Sequence, residues 1–357
     1  MNPLFSDSVY IDRLSRIPAV MEMPYNDIVR KFIDMYAGRL RNQVSFMLSA
    51  CNFYMPIFEE ALDAYGLPLE LKYLPIIESA LNPSAVSHAG ASGLWQFMIG
   101  TGKIYGLESN SLIDERRDPI KATWAAARYL KEMYDIYGDW NLVIAAYNCG
   151  PGTINKAIRR AGGETDYWKI YNLLPKETRG YVPAFIAANY VMTYYCDHNI
   201  CPMETNIPAS TDTVQVTKNL HFEQIAELCN VPLEEVKSLN PQYKKQVIPG
   251  TTKPCTLRLP QGAISTFIDK QDTIYAHRAD ELFRNRKTVA VKEVTPTTRR
   301  QTSAVAGKGK LTYYKIKSGD TLSSIAEKLG VRVKDIQQWN GMSNTRIAAG
   351  KQLKIYK

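Results

Sequence analysis

The sequence predicts a multidomain chain, a mainly α body followed by two small α+β modules of strand, helix, helix, strand order (βααβ). Three observations predict it. From residue 24 to about 200, apolar side chains recur at three- and four-residue steps, the period of one buried helix face. Beyond that, "FEQIAELCNVPLEEVKSLNP" from Phe222 and "LSSIAEKLGVRVKDIQQWNG" from Leu322 align without a gap. The alignment sets Ile225, Ala226, Glu227, Val231 and Asn240 against Ile325, Ala326, Glu327, Val331 and Asn340, an internal repeat. Between the copies lies a stretch rich in Thr, Ser, Gly, Pro, Lys and Arg and nearly free of aromatics. The expected divisions are an N-terminal extension over 1–23, a helical domain over 24–204 with its core at about 67–185, a first module over 211–260, a helix and then a basic flexible linker over 261–310, and a second module over 311–357.

The helices follow in order. "YNDIVRKFIDMYAGRLRNQVSFMLSACNFYMPIFEEALDAYG" carries the helical period and stops at Gly66, and Pro68 suits the first turn of the next helix. In "LPLELKYLPIIESALNPSAVSHAGASGLWQFM", Leu67, Leu71, Leu74 and Glu78 are spaced four, three and four residues apart. That places a carboxylate on a face the pattern reserves for apolar side chains, with Pro75 expected to kink the helix just before it. A charge there is costly unless it is paired or the site uses a raised pKa. Asp118 reads as an N-cap with Pro119 at the first helical position, and that helix closes at Gly138. "DWNLVIAAYNCGPGTINKAIRRAGG" reads as a helix broken by a turn at 148–152, then a second helix ended by Gly162 and Gly163. "TRGYVPAFIAANYVMTYYC" completes the body. Each repeat copy has a β-rich lead-in, "TVQVT" or "YYKIK", and a β-rich close, "TLRLP" or "QLKIYK".

Composition narrows the function classes. Hydrophobic content of 45% and charged content of 22% are those of a folded, water-facing protein. No run approaches the roughly 20 apolar residues needed to cross a bilayer. The net charge is +9, yet residues 284–310 hold eight Lys or Arg and one Glu, or +7, leaving +2 for everything else. A nucleic-acid reader needs its basic face on a folded domain, so no nucleic-acid partner is expected. The six cysteines, Cys51, Cys149, Cys196, Cys201, Cys229 and Cys255, are too scattered for a disulfide framework. "CDHNIC" brings Cys196, His198 and Cys201 together without a fourth ligand, so a local disulfide or free thiols are expected there and no metal.

The second copy, "YYKIKSGDTLSSIAEKLGVRVKDIQQWNGMSNTRIAAGKQLKIYK", resembles a LysM domain over its full length. That resemblance implies binding of N-acetylglucosamine-containing glycans such as peptidoglycan, with Gly319, Asp320 and Thr321 on the glycan-contacting first loop. Asp320 also reads as the N-cap of a helix over 321–329. The first copy has Asn219, Leu220 and His221 there and reads as a degenerate LysM-like module whose sugar binding stays open.

Four motifs recur in order in the helical body: "ESALNPSAVS", "GASGLWQFM", "AAYNCGPG" and "ETRGYVPAF". Together they resemble the soluble lytic transglycosylase catalytic domain of glycoside hydrolase family 23, with its goose-type lysozyme-like fold. The resemblance implies Glu78 as the catalytic acid/base and Ser87, Gln96, Met98, Tyr147, Asn148, Glu177 and Tyr181 as groove residues around the sugars. Cys149 stands where the family has Ala. A catalytic domain followed by LysM modules is the order seen in membrane-bound lytic murein transglycosylases. The implied location is the periplasm or cell envelope, so a signal segment is expected to have been removed, with an outer-membrane lipid anchor and a monomeric state as further expectations.

The chemistry follows from Glu78. Cleaving a glycosidic bond requires protonating the leaving oxygen, and burial keeps a carboxyl protonated near neutral pH. Most glycosidases add a second carboxylate. The nearest candidates are Asp114 and Glu115, expected in an exposed loop, and Asp118, expected to cap. Without a partner the chain resembles the substrate-assisted enzymes. Glu78 then protonates the bond between N-acetylmuramic acid and N-acetylglucosamine, the substrate's N-acetyl group stabilises C1, and Glu78 as base lets the C6 hydroxyl close a 1,6-anhydro ring without water or cofactor. The rivals are a lysozyme- or chitinase-type hydrolase on the same fold and a non-catalytic peptidoglycan-binding scaffold. Taken singly, Glu78 reads better as a structural carboxylate and Met98 as packing, while Gln96, Ser87 and Asn148 read equally as turn ligands, Tyr147 and Tyr181 as core aromatics and Glu177 as a helix-start charge.

Overall fold

A computed structural model describes residues 3, 5–205, 207–208, 210–284, 311–317, 320–340, 342, 347 and 350–356. The basic linker over 285–310 and Gly319 lie outside the described residues. The chain divides into two compact units, Met1–Val294 and Thr295–Lys357.

The first unit begins with α1 (Asp7–Arg16), α2 (Asp27–Ala37) and α3 (Arg41–Ala64). Asn26 starts α2 by accepting from the Ile28 and Val29 N–H groups, each at 3.0 Å. The apolar face of α3 buries Val44, Met47, Phe58 and Leu62. The expected long helix from Leu67 to Glu78 does not form. A 3-10 turn, Leu69–Tyr73, leads into the short α4 (Leu74–Ser79), where Pro75 sits in the first turn. Proline there lacks only a donor that the first turn would leave unused, so it starts a helix where a kink was expected. The burial reading holds all the same, because Leu67, Leu71 and Leu74 are all buried.

Next come α5 (Ile99–Ile104), α6 (Pro119–Tyr137), α7 (Trp140–Cys149), α8 (Pro151–Arg160), α9 (Tyr167–Ile170) and α10 (Lys176–Thr193). The Asp118 carboxylate caps α6 by accepting from the Ile120 and Lys121 N–H groups, and Gly138 ends it at φ 63. The break between α7 and α8 is narrower than the sequence suggests, since Gly150 alone, at φ 80 and ψ 149, turns the chain. Helix α7 is apolar all round its middle, Leu142 to Ala146 being fully buried, and α10 packs against it, α2 and α4. A helix apolar on every face belongs at the centre of a bundle. In "CDHNIC" the six cysteines' share is two exposed free thiols, Cys196 and Cys201. His198 between them is fully buried against Phe5 and Tyr10, and burial lowers its pKa to about 4, so it is a neutral core aromatic.

The first module follows in the same unit: β1 (Thr211–Val216), β2 (Asn219–His221), α11 (Phe222–Cys229), α12 (Leu233–Leu239), β3 (Val247–Pro249) and β4 (Cys255–Pro260). Strand β1 pairs antiparallel with β4, and β2 with β3. Three more helices, α13 (Gln261–Asp269), α14 (Gln271–Ala276) and α15 (Ala279–Leu282), extend it, and Phe267 and Ile274 enter its core. Leu112 and Ile113 of the helical body enter that core too. The backbone seals the junction: Asp114 N–H donates to Gln242 O at 2.8 Å and Lys244 N–H to Leu112 O at 2.7 Å. Body and module are therefore fused at residues 112–114.

The second unit holds β5 (Leu311–Lys315), α16 (Leu322–Leu329), α17 (Val333–Trp339) and β6 (Gln352–Tyr356), with β5 and β6 antiparallel. The asparagine shared by the two copies has one job. Asn240 bonds Val236 O and both backbone groups of Arg258, and Asn340 bonds Ile336 O and both backbone groups of Lys354. Each ties the second helix of its module to the closing strand. Asp320 is not the N-cap expected of it. Its Oδ2 accepts from Lys317 N–H at 2.8 Å and Tyr314 Oη at 3.0 Å, while Thr321 Oγ1 accepts from Ser324 N–H at 3.1 Å and does the capping.

Candidate active site

Helix α4 delivers Glu78 to a cavity of about 420 Å³. Its walls are Tyr36 from α2, Gln43 and Met47 from α3, Ile76 and Ile77 from α4, and Ala85, Val86, Ser87 and Gln96 from the loop that follows. Helix α4 ends in two left-handed residues, Ala80 at φ 50 and Leu81 at φ 59, which turn the chain along the cavity rim. Ser79 Oγ fixes that end by donating to Pro75 O at 3.0 Å and Leu94 O at 2.9 Å.

Burial raises the Glu78 pKa from 4.5 to about 7, and the hydrogen bond donated by Tyr181 Oη to Glu78 Oε1 opposes the shift without cancelling it. Tyr181 comes from α10 and is 8% exposed. Tyr147, from α7, donates through Oη to Trp95 O at 2.7 Å. Burial and the charge of Glu78 hold both phenols well above their usual pKa, so they are donors across the working range of pH. Among the described residues, Glu78 is the only acid that lines this cavity.

The loop at 85–97 is held from behind. Ser87 clasps it, accepting at Oγ from Ala91 N–H at 3.0 Å and donating through N–H to Ala91 O at 2.9 Å. Gln96 adopts φ 49, and its Nε2 donates to Gly93 O at 2.8 Å. Arg116 reaches in through Nη1 to Gly90 O at 2.8 Å and Phe97 O at 2.9 Å. The fit is tight enough to require glycine at 93, with φ 88 and a position where a Cβ would lie 1.7 Å from Arg116 O.

Asp114 and Glu115 correct the expectation of an exposed loop: they are 1% and 6% exposed. Asp114 holds Arg116 in a two-pronged pair at 2.8 and 2.7 Å. Glu115 accepts from Lys121 Nζ at 2.6 Å and from Glu108 N–H at 2.8 Å. Neither lines the Glu78 cavity, so both act on structure. Paired opposite charges in sequence proximity looked solvated; the module docked over them removes the solvent.

Glu78, Ser87 and Gln96 thus meet at one cavity, with Tyr181 bonded to the acid and Tyr147 beside it. Three other residues read as groove residues lie off its lining. Met98 precedes α5 at 46% exposure, Glu177 is exposed in the first turn of α10, and Asn148 Oδ1 accepts from Thr178 Oγ1 at 3.0 Å. Cys149 is a protonated thiol whose pKa burial raises. The sequence reading missed Tyr36, Gln43 and Met47, which reach the site only because α2 and α3 pack across it. Their local pattern is that of any amphipathic helix and carries no signal of a site.

Three family models match the chain. The Transglycosylase SLT domain matches residues 55–170, the lytic transglycosylase MltD LysM-like domain residues 210–276, and the LysM domain residues 314–355. The second match runs through α13 and α14, which share the first module's core. The soluble lytic murein transglycosylase of Escherichia coli K12 is 33% identical over 124 residues, 33% of this chain and 19% of that one. The membrane-bound lytic murein transglycosylase D of the same strain is 30% identical over 341 residues, covering 94% of this chain and 70% of that one. With a lysozyme-like helical domain, two LysM-type modules and near full-length similarity in the same order, the chain belongs to the membrane-bound lytic murein transglycosylase D family.

Proposed function

We propose that the chain is a peptidoglycan lytic transglycosylase in which Glu78 alone serves as acid and then base, giving 1,6-anhydro-N-acetylmuramic acid ends. The observation that carries the reading is a single carboxyl with a pKa of about 7 in a cavity that no other acid lines among the described residues. In the first step protonated Glu78 gives its proton to O4 of N-acetylglucosamine as the C1–O4 bond breaks and its electron pair goes to that oxygen. The acetamido oxygen of the same N-acetylmuramic acid bonds to C1 and carries the charge. Glu78, now a carboxylate, takes the proton of the C6 hydroxyl, O6 bonds to C1, and the acetamido oxygen leaves. Glu78 ends protonated, and no water is consumed.

Tyr181 donates to the carboxylate formed in the first step, and Tyr147 fixes the backbone at Trp95 beside the cavity. Ser87 and Gln96 shape the wall against which the sugars lie, and the proposed sugar contacts of Met98, Asn148 and Glu177 fall outside that wall. In the second module Asp320 and Thr321, next in sequence to Gly319, are assigned to glycan binding, which keeps the enzyme on its polymer and raises the local substrate concentration. The relative's name, membrane-bound, supports a place in the cell envelope; a lipid anchor and a monomeric state are part of the same proposal. Among the described residues no helix is long and apolar enough to cross a membrane.

Mass analysis of fragments released from purified peptidoglycan tests the reaction. Anhydro ends that vanish with Glu78→Gln are expected. Reducing ends one water heavier would establish a hydrolase in its place.

A further inference from the structure

A second cavity, of about 1010 Å³, is lined by other residues of the same α3 and post-α4 stretches as the first. One side is α3 and the turn after α4; the other is α12 of the first module and the segment bearing Glu204 and Ile207. The two cavities succeed each other along the same two stretches of chain. On α3, Gln43 and Met47 line the first, and Phe46 and Phe53 line the second. After α4, Ser79 and Ala80 line the first, and Asn82 and Pro83 line the second. The lining of the second cavity thus continues that of the first along α3 and the turn after α4. The far wall is fixed rather than adjustable, since Met203 N–H donates to Ser45 O of α3 at 3.2 Å and the module is fused to the body at 112–114.

The lining has a definite chemistry. Phe46, 39% exposed, and Phe53 offer flat apolar faces, and Glu204, Glu234 and Glu235 supply acceptors around them. Asn82 and Ser238 add an amide and a hydroxyl, and no Lys, Arg or His lines the cavity among the described residues. Ring faces that stack on the C–H face of a pyranose, with carboxylates accepting from its hydroxyls, suit neutral sugars.

Resting on the proposed reaction at Glu78, we infer that this cavity is a glycan subsite for uncharged N-acetylhexosamine units of the strand being cut. The first module thus serves binding through α12. Its degenerate loop is spent on structure: Asn219, Leu220 and His221 form β2, and His221 caps α11 by accepting at Nδ1 from Glu223 N–H at 3.3 Å.

The test uses the full chain and peptide-free glycan strands, long and short, with Phe46→Ala and, on the opposite wall, Ser238→Trp, which fills the space. The readout is the ratio of KM on long strands to KM on short ones, which is expected to change roughly tenfold in both variants, with kcat on long strands held. The second module is present in every protein compared, so its own binding cancels. An unchanged ratio in both variants, with thermal unfolding as in the parent, overturns the subsite. The same ratio is read in parallel on strands that keep their peptides, and a change confined to those overturns the glycan assignment in favour of the stem peptide. Failure of the Glu78 reading shows separately, as parent-like cleavage by Glu78→Gln.

Discussion

Tyr181 Oη donates to Glu78 Oε1 across 103 residues of sequence, and that bond sets how far the acid can be pushed. Burial drives the Glu78 pKa up, the phenol pulls it down, and burial wins by enough to leave it at about 7. A group that gives a proton in one step and takes one in the next works best when neither form is strongly preferred. An isolated buried carboxyl would hold its proton too tightly; one with several donors would never keep it.

Removing the phenol hydroxyl tests that balance. Tyr181→Phe deletes the one interaction that favours the carboxylate, so the Glu78 pKa moves further up and the basic limb of the pH–rate profile moves to higher pH. The optimum rate falls roughly tenfold, the cost of one hydrogen bond to a charged group. A profile of kcat/KM against pH for parent and variant reads both effects.

Stability gives an independent view of the same pKa. Below pH 4.5 Glu78 is protonated in folded and unfolded chains alike, and its burial carries no electrostatic cost. As pH rises to 7 the unfolded chain ionises first and binds fewer protons than the folded one, so stability is lost with rising pH. Glu78→Gln escapes that loss. The variant is expected to be more stable than the parent by up to about 3 kcal/mol above neutrality, and to gain nothing in acid. Denaturant melts at several pH values measure the difference.

Behind the loop at 85–97, Arg116 is paired with Asp114, both nearly inaccessible to solvent. Arg116→Ala leaves a buried carboxylate with, among the described residues, only Lys244 Nζ at 3.8 Å for an ion pair, and unties Gly90 and Phe97. Equilibrium unfolding should show a loss of about 3–5 kcal/mol. Activity should fall as well, because the loop that carries Ser87 and Gln96 loses its support.

The fusion of body and first module predicts one melting transition for the unit Met1–Val294. Leu112, 4% exposed, belongs to the module's core although it lies in the helical body's chain. Leu112→Ala is expected to cost about 2–5 kcal/mol and to lower that one transition as a whole. Calorimetry of the full chain would show two separately shifting transitions if body and module unfolded independently.

How much of this could be read beforehand depended on the range of the interaction. Glu78 stood out because a carboxylate occupied a slot in a local apolar period, and its burial neighbours Leu67, Leu71 and Leu74 followed from the same spacing. The caps at Asp118 and Gly138 were equally local. Pro75 misled because the same residue breaks a helix interior and starts a helix end, and only the 3-10 turn before it decides which. Asp114 and Glu115 misled for a longer-range reason. Nothing in "SLIDERRDP" shows that Gln242 and Lys244 will cover it from 130 residues away. The cavity walls from α2 and α3, and the placing of Met98, Asn148 and Glu177 off the Glu78 cavity, likewise depend on packing between distant segments.

The central claim is that Glu78 closes the ring with the substrate's own C6 hydroxyl and that water takes no part. Digestion of purified peptidoglycan in water enriched in oxygen-18 tests it most directly. The account predicts muramic ends without the label and one water lighter than reducing ends. Label at C1 of those ends would contradict it, since oxygen from solvent would then have replaced the bond that Glu78 broke.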